Sequence, residues 1–135
     1  MTANDPVRTF LANRGCPEDV VAGGLEGLVS EWERAVAQVE EGYPLGLDDY
    51  LNDLDGRQLL EEALEVASAI ERAAAVARIR EADARMLRGA RLVNESLWGS
   101  RVADREGWTA EQNWWYFAVP LEPGPLLRDD LEGGE

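Results

Sequence analysis

The chain has 135 residues, 45% apolar and 30% charged, and its 13 basic residues face 27 acidic ones for a net charge of −14. That length predicts one domain able to bury roughly two-thirds of its unfolded surface without staples, and that charge disfavours nucleic acid and anionic membranes as partners while favouring basic proteins or metal ions. Every basic residue is Arg, so the absence of His and Lys excludes imidazole bases, imidazole metal ligands and side-chain Schiff bases.

The start, MTANDPVRTF, has neither a basic region nor an apolar run, and no apolar stretch approaches the ~20 residues that span a bilayer. A single cysteine, Cys16, makes no internal disulfide. The expected location is the cytoplasm. The all-Arg bias, with abundant Ala and Gly, is also what a GC-rich bacterial genome produces.

A short helix is predicted over about 5–14. Asn4 or Asp5 caps it, Pro6 suits its first turn, Val7, Phe10 and Leu11 share a face, and Gly15 ends it. A second helix is predicted over 17–42, with Glu18 and Asp19 at its positive end. Its apolar positions, Val20, Val21, Leu25, Leu28, Val29, Trp32, Val36 and Val39, recur every three or four residues. Gly23, Gly24 and Gly27 mark a kink, a break or a close backbone approach. Tyr43-Pro44-Leu45-Gly46 is a turn.

A third helix is predicted over 48–93, with Gly56 as an interruption and an Ala-rich middle that admits a close neighbour. Intrahelical pairs such as Glu81 with Arg85 are expected on its exposed face. Residues 57–88 as one helix would span roughly 48 Å, more than the ~37 Å diameter of a compact globule this size. The helix must bend, break, form a hairpin or be covered by a second copy.

Residues 94–120 gather Trp98, Trp108, Trp114, Trp115, Tyr116 and Phe117. Thr109 with Gln112 fits a capping box, and WWYFAV, bounded by Pro120, reads as extended chain without an evident partner strand. In extended chain Trp114 and Trp115 point to opposite faces. Residues 121–135 read as a mostly irregular acidic tail, apart from Leu126, Leu127 and Leu131.

Asp48, Asp49, Asp53, Glu62 and Glu65 are the candidate metal ligands, because clustered carboxylates suit Mg²⁺, Mn²⁺ or Ca²⁺. DDYLND has the spacing of the metal-binding DDxxxD of terpene-synthase-like enzymes, which need a far larger helical barrel. LNDLDGRQLLEE resembles an EF-hand loop at Asp53, Asp55, Gly56 and Glu62, but Leu51 stands where the first acidic ligand belongs. DLDGR resembles the nucleophile motif of haloacid-dehalogenase-like phosphatases without the hydrophobic strand that must precede it. Glu62-x-x-Glu65 resembles half of the paired ExxE and ExxD motif of all-α nucleotide pyrophosphatases, whose second half meets Ala84 here. No function is carried over from any of them. The competing role for these carboxylates is capping and dipole complementation.

Cys16, before Pro17 at a helix start, lacks a histidine base and reads as incidental. Trp108, Trp114, Trp115 and Phe117 are the candidate partner-binding residues, against the alternative that they form a lid on the core.

The expected fold is mostly α: an elongated antiparallel helical hairpin or small bundle with a short N-terminal helix and an aromatic extended C-terminal arm. It forms a single helical domain over 1–120. The expected function is a small acidic bacterial protein-interaction module, an adaptor, regulator or immunity-type inhibitor, binding a basic protein partner and open to homodimerisation. An interaction role is expected over an enzymatic one, with no cofactor unless the carboxylates hold a divalent metal. The alternatives are an Mg²⁺- or Mn²⁺-dependent hydrolase using the carboxylate cluster, perhaps on nucleotides, and a nucleic-acid mimic.

Overall fold

The computed structural model describes residues 5–133. The chain is predominantly helical: packed helix pairs, a short N-terminal helix, and a two-stranded sheet near the C-terminus. Among the described residues no helix is long and apolar enough to cross a membrane.

Helix α1 (Pro6–Asn13) begins on Asp5, whose carboxylate accepts from the Val7 and Arg8 amides, each at 3.1 Å. The alternative cap, Asn4, lies outside the described residues. Val7 and Leu11 are fully buried, each stabilising the fold by about 1.5–3 kcal/mol.

Helix α2 (Glu18–Glu41) is the central element, packed against α1 and against the two helices that follow it. Its apolar stripe buries Leu25, Leu28, Val29, Trp32, Val36 and Val39. The kink expected among its glycines falls at Gly24, with φ 60° and ψ −153°. Arg8 reaches the bend and donates from Nη2 to the Ala22 carbonyl at 2.8 Å. A Cβ on Gly24 would meet Arg8 Nε at 3.3 Å.

The helix expected over 48–93 is two helices, α3 (Leu47–Val66) and α4 (Ala69–Arg88). Ala67 and Ser68 turn to extended ψ values of 151° and 160°. The Ser68 hydroxyl then accepts from the Glu71 amide at 3.1 Å, and Arg72 reaches back to the Leu64 carbonyl. Ser68-Ala-Ile-Glu71 has the capping-box spacing, a stop-and-restart signal embedded in the Ala-rich run. Each helix has 20 residues, about 30 Å, so the break removes the overhang of a single long helix. Helices α2 and α3 form the antiparallel hairpin. Arg78 meets Glu26 and Glu33 while Arg85 meets Glu40, so α4 runs parallel to α2. Those contacts also correct the expected Glu81–Arg85 pairing: Arg85 turns across to α2, where two nitrogens meet the Glu40 carboxylate at 2.9 and 2.5 Å.

The arm contains more regular structure than its sequence suggests. Strand β1 (Ala90–Leu92) pairs antiparallel with β2 (Ala118–Pro120), Ala90 opposite Pro120 and Leu92 opposite Ala118. WWYF is not extended: Trp114–Phe117 is a 3₁₀ turn, its entry fixed by the Thr109 hydroxyl accepting from the Gln112 amide at 3.1 Å. A short α5 (Ser100–Glu106) ends on Gly107 in the left-handed region, φ 77°.

The stretch read as irregular tail carries α6 (Pro125–Gly133). Leu127 is fully buried, and the Asp130 carboxylate accepts from the Leu47 amide at 2.9 Å. Helix α3 needs that acceptor, because its own cap position is Gly46, which has no side chain to supply one. A Cβ on Gly124 would collide with the Tyr43 carbonyl, to which the Gly124 amide donates at 3.0 Å.

Candidate functional site

The five candidate metal ligands do not share a site. All lie on the single helix α3, and the nine residues from Asp53 to Glu62 separate them by about 14 Å along its axis. Asp48, Asp49 and Glu65 are exposed. Asp53 accepts from the Tyr43 hydroxyl at 2.6 Å. Glu62 pairs with Arg14 and accepts from Gln58 Nε2 at 2.9 Å. Among the described residues no three acidic or thiol side chains are grouped to hold a metal ion.

The aromatic candidates divide by burial. Trp115 and Phe117 belong to the core. Trp114 is half-buried, edge-on to Trp32 with ring centroids 6.5 Å apart. Trp108 is half-buried and stacks on Tyr116 at 3.8 Å. Trp98, at 39% exposed, keeps the most surface and donates from Nε1 to Asp55 at 3.1 Å. Cys16 is a free, half-buried thiol beside the core.

Three helices and the arm meet at Arg57, buried to 4% exposure. Its Nε and Nη2 donate to Asp83 at 3.1 and 2.9 Å, and its Nη1 donates to Glu61 at 2.9 Å. Trp32 Nε1 completes the shell of Asp83 at 2.9 Å, and the guanidinium lies 4.3 Å from the Trp115 ring centroid. Burial works to lower the Arg57 pKa, but the hydrogen bonds and charges of Asp83 and Glu61 outweigh it and leave it raised. This hub ties α2, α3, α4 and the arm together. Its trace in the sequence is a charge on an apolar stripe: Arg57 falls three residues from both Leu54 and Leu60, a spacing that aims it inward and demands a partner.

Between α2 and α3 lies a cleft of about 490 Å³. Its walls include Gly23 and Gly27 of α2 and Gly56 of α3. Unlike Gly24, none of the three would bring a Cβ within 4 Å of another group, so they border open space rather than a neighbouring backbone. Asp19, Glu31, Asp53 and Asp55 also line the cleft, against one cation, Arg34. The Arg34 guanidinium lies 2.6 Å from Glu31 and 3.9 Å from Asp53.

Burial pushes the Asp53 carboxyl above the usual carboxylate range, against the Tyr43 hydrogen bond and the Arg34 charge, which pull it down. Asp55 is fixed from the other side, accepting from the Tyr116 hydroxyl at 2.7 Å. Both phenols are pushed well above their usual range, first by burial and then by the carboxylates they bind. Tyr50 is raised as well, first by burial and then by the charge of Asp53. Its hydroxyl donates to the Ala118 carbonyl at 2.6 Å.

The arrangement offers a cation several negative charges, one of them already paying a desolvation cost, beside a pocket in which an aliphatic stem can lie along Val20, Leu28 and Leu59. No family model, curated protein or solved structure matches the chain.

Proposed function

We propose that the chain is a protein-interaction module whose α2–α3 cleft accepts an arginine or lysine side chain from a basic partner protein. The observation that carries this reading is the pairing of open glycine walls with carboxylate lining. A glycine inside a helix costs up to about 1 kcal/mol relative to alanine. Gly23, Gly27 and Gly56 lie within α2 and α3, where no neighbouring group excludes a side chain. What they preserve is the cleft itself, and its volume falls within the roughly 300–1,000 Å³ of small-ligand sites. Arg34 already demonstrates the chemistry, with its guanidinium near both Glu31 and Asp53. A second cation would relieve the buried charge of Asp53, and the acidic chain would speed the encounter.

The reading is tested with a short Arg/Lys-Gly peptide and an acidic counterpart, by calorimetry at low and moderate salt. The basic peptide should bind, weakening as salt rises. Asp53→Asn with Glu31→Gln should lower its affinity by about tenfold or more, and Gly27→Leu should do the same by filling the cleft. Carbodiimide coupling locates the contact. It joins carboxylates to amines, and the chain has no Lys, so a cross-link between one of its side-chain carboxylates and lysine must involve peptide. Cross-links scattered over the acidic surface, with binding unchanged in all variants, would overturn the reading.

A further inference from the structure

Among the described residues the outer face of α4 has no partner. Its inner face buries Ala75, Ile79, Ala82 and Met86. Opposite them lie Ile70, Ala73, Ala77, Arg80, Ala84 and Leu87, spaced alternately by three and four residues, the spacing of a coiled-coil seam. Ala84 is half-buried and the other five are exposed, Ile70 at 83%. A large apolar side chain in that position gains nothing from this fold.

We infer that this face is where two copies of the chain pair, α4 against α4, antiparallel about a two-fold axis. The pattern of side-chain size favours a second copy over an unrelated helix. Read in reverse, the seam is Leu87, Ala84, Arg80, Ala77, Ala73, Ile70. In an antiparallel register Ile70 therefore meets the partner's Leu87, Ala73 meets the partner's Ala84, and Ala77 meets the partner's Arg80. Large residues close both ends and small ones let the helices approach between them. A two-fold interface needs such a self-complementary patch.

Charge favours the same face. Two copies at −14 each repel across most of their surfaces, whereas here Arg72, Arg80 and Arg88 are exposed beside Glu81. The register brings Arg80 within a side chain's reach of the partner's Glu81, twice by symmetry. None of the six seam residues lines the α2–α3 cleft, so the pairing is independent of what the cleft binds and leaves both clefts open.

Sedimentation from micromolar to millimolar concentrations should show a reversible monomer–dimer equilibrium. Ile70→Glu should shift its midpoint at least about tenfold toward monomer with an unchanged circular dichroism spectrum, because the side chain is exposed. A second variant reads the register: Ala73→Cys with Ala84→Cys, in a Cys16→Ser background. The two positions are 11 residues apart on one helix, about 16 Å, too far to join within a chain. Mild oxidation should give a covalent dimer. A chain that stays monomeric at every concentration, a dimer indifferent to Ile70→Glu, or a double-cysteine chain that gives no covalent dimer would each overturn the inference.

Discussion

Helix α2 has two long neighbours, and the two seams are built from opposite materials. Against α4 it is laced by arginines: Arg78 to Glu26 and Glu33, Arg85 to Glu40, and the Arg57–Asp83–Trp32 cluster at the centre. The three glutamates are held below their usual pKa, chiefly by these hydrogen bonds. Against α3 the seam has glycines, an opening and four carboxylates that share one arginine, Arg34. The side-chain hydrogen bonds of Asp53 and Asp55 run instead to Tyr43, Tyr116 and Trp98. One seam spends its charges on internal cohesion. The other leaves them lining an opening, so similar residue types along one helix stand in different surroundings.

Alkali should attack the tyrosine-held side, with the largest effect. Unfolded tyrosines ionise near pH 10, and Tyr43, Tyr50 and Tyr116 in the folded chain are all shifted upward. Above about pH 10 the unfolded chain therefore binds fewer protons than the folded one, and stability falls as pH rises. Each phenol contributes about 1.4 kcal/mol per pH unit, so the three together approach 4 kcal/mol per unit. Urea midpoints measured from about pH 8 to 11 should collapse at the alkaline end, with tyrosinate absorbance rising only as helix is lost. Tyrosinate appearing in a still-helical protein would break this account.

At the laced seam, Arg57→Met should cost about 3–5 kcal/mol, because Asp83 is left as a poorly solvated charge with only Trp32 as donor. Adding Asp83→Leu should recover much of the loss. If Arg57→Met were neutral, the hub would not be what joins the helices.

The sharpest contrast is within one turn of α2. Gly24→Ala should cost about 1–3 kcal/mol, because Gly24 alone holds a left-handed φ beside Arg8. Gly27→Ala, facing open space, should stabilise by up to about 1 kcal/mol. Denaturant melts of the two variants should move in opposite directions, and a loss for Gly27→Ala would mean that its neighbourhood is closed.

Much of the scaffold is written in local chemistry. The stripe from Leu25 to Val39, the Asp5–Pro6 start and the Tyr43–Gly46 turn are short-range signals, and each appears where the spacing puts it. The break at Ser68 is equally local, but its capping signal is submerged in a run of alanines that favours continuation. Strand β1 was illegible for another reason. Arg91 and Leu92 are both exposed, so no alternation marks them, and only the distant Ala118–Pro120 makes them a strand. Helix α6 depends likewise on a pocket for Leu127 that exists once the other helices are assembled. The cleft was the least legible feature. Of its carboxylates only Asp53 is among the candidate metal ligands, Asp19 reads as a helix-start charge, and Glu31 lies on another helix far off in sequence. The decisive glycines announce room only when the opposing helix is in place.

The composition and the buried phenols together leave the molecule with almost no proton reservoir near neutrality. It has no His and no Lys, and its three tyrosines are pushed well above their usual range. No imidazole and no lysine amine is therefore available to take up a proton between about pH 6 and pH 10. The cleft therefore carries no histidine switch, and acid acts on its field through carboxylates, of which Asp53 is raised by burial. Attraction to a cationic partner would be graded by dissolved ions or by chemical changes on that partner, rather than by a histidine on this side of the encounter.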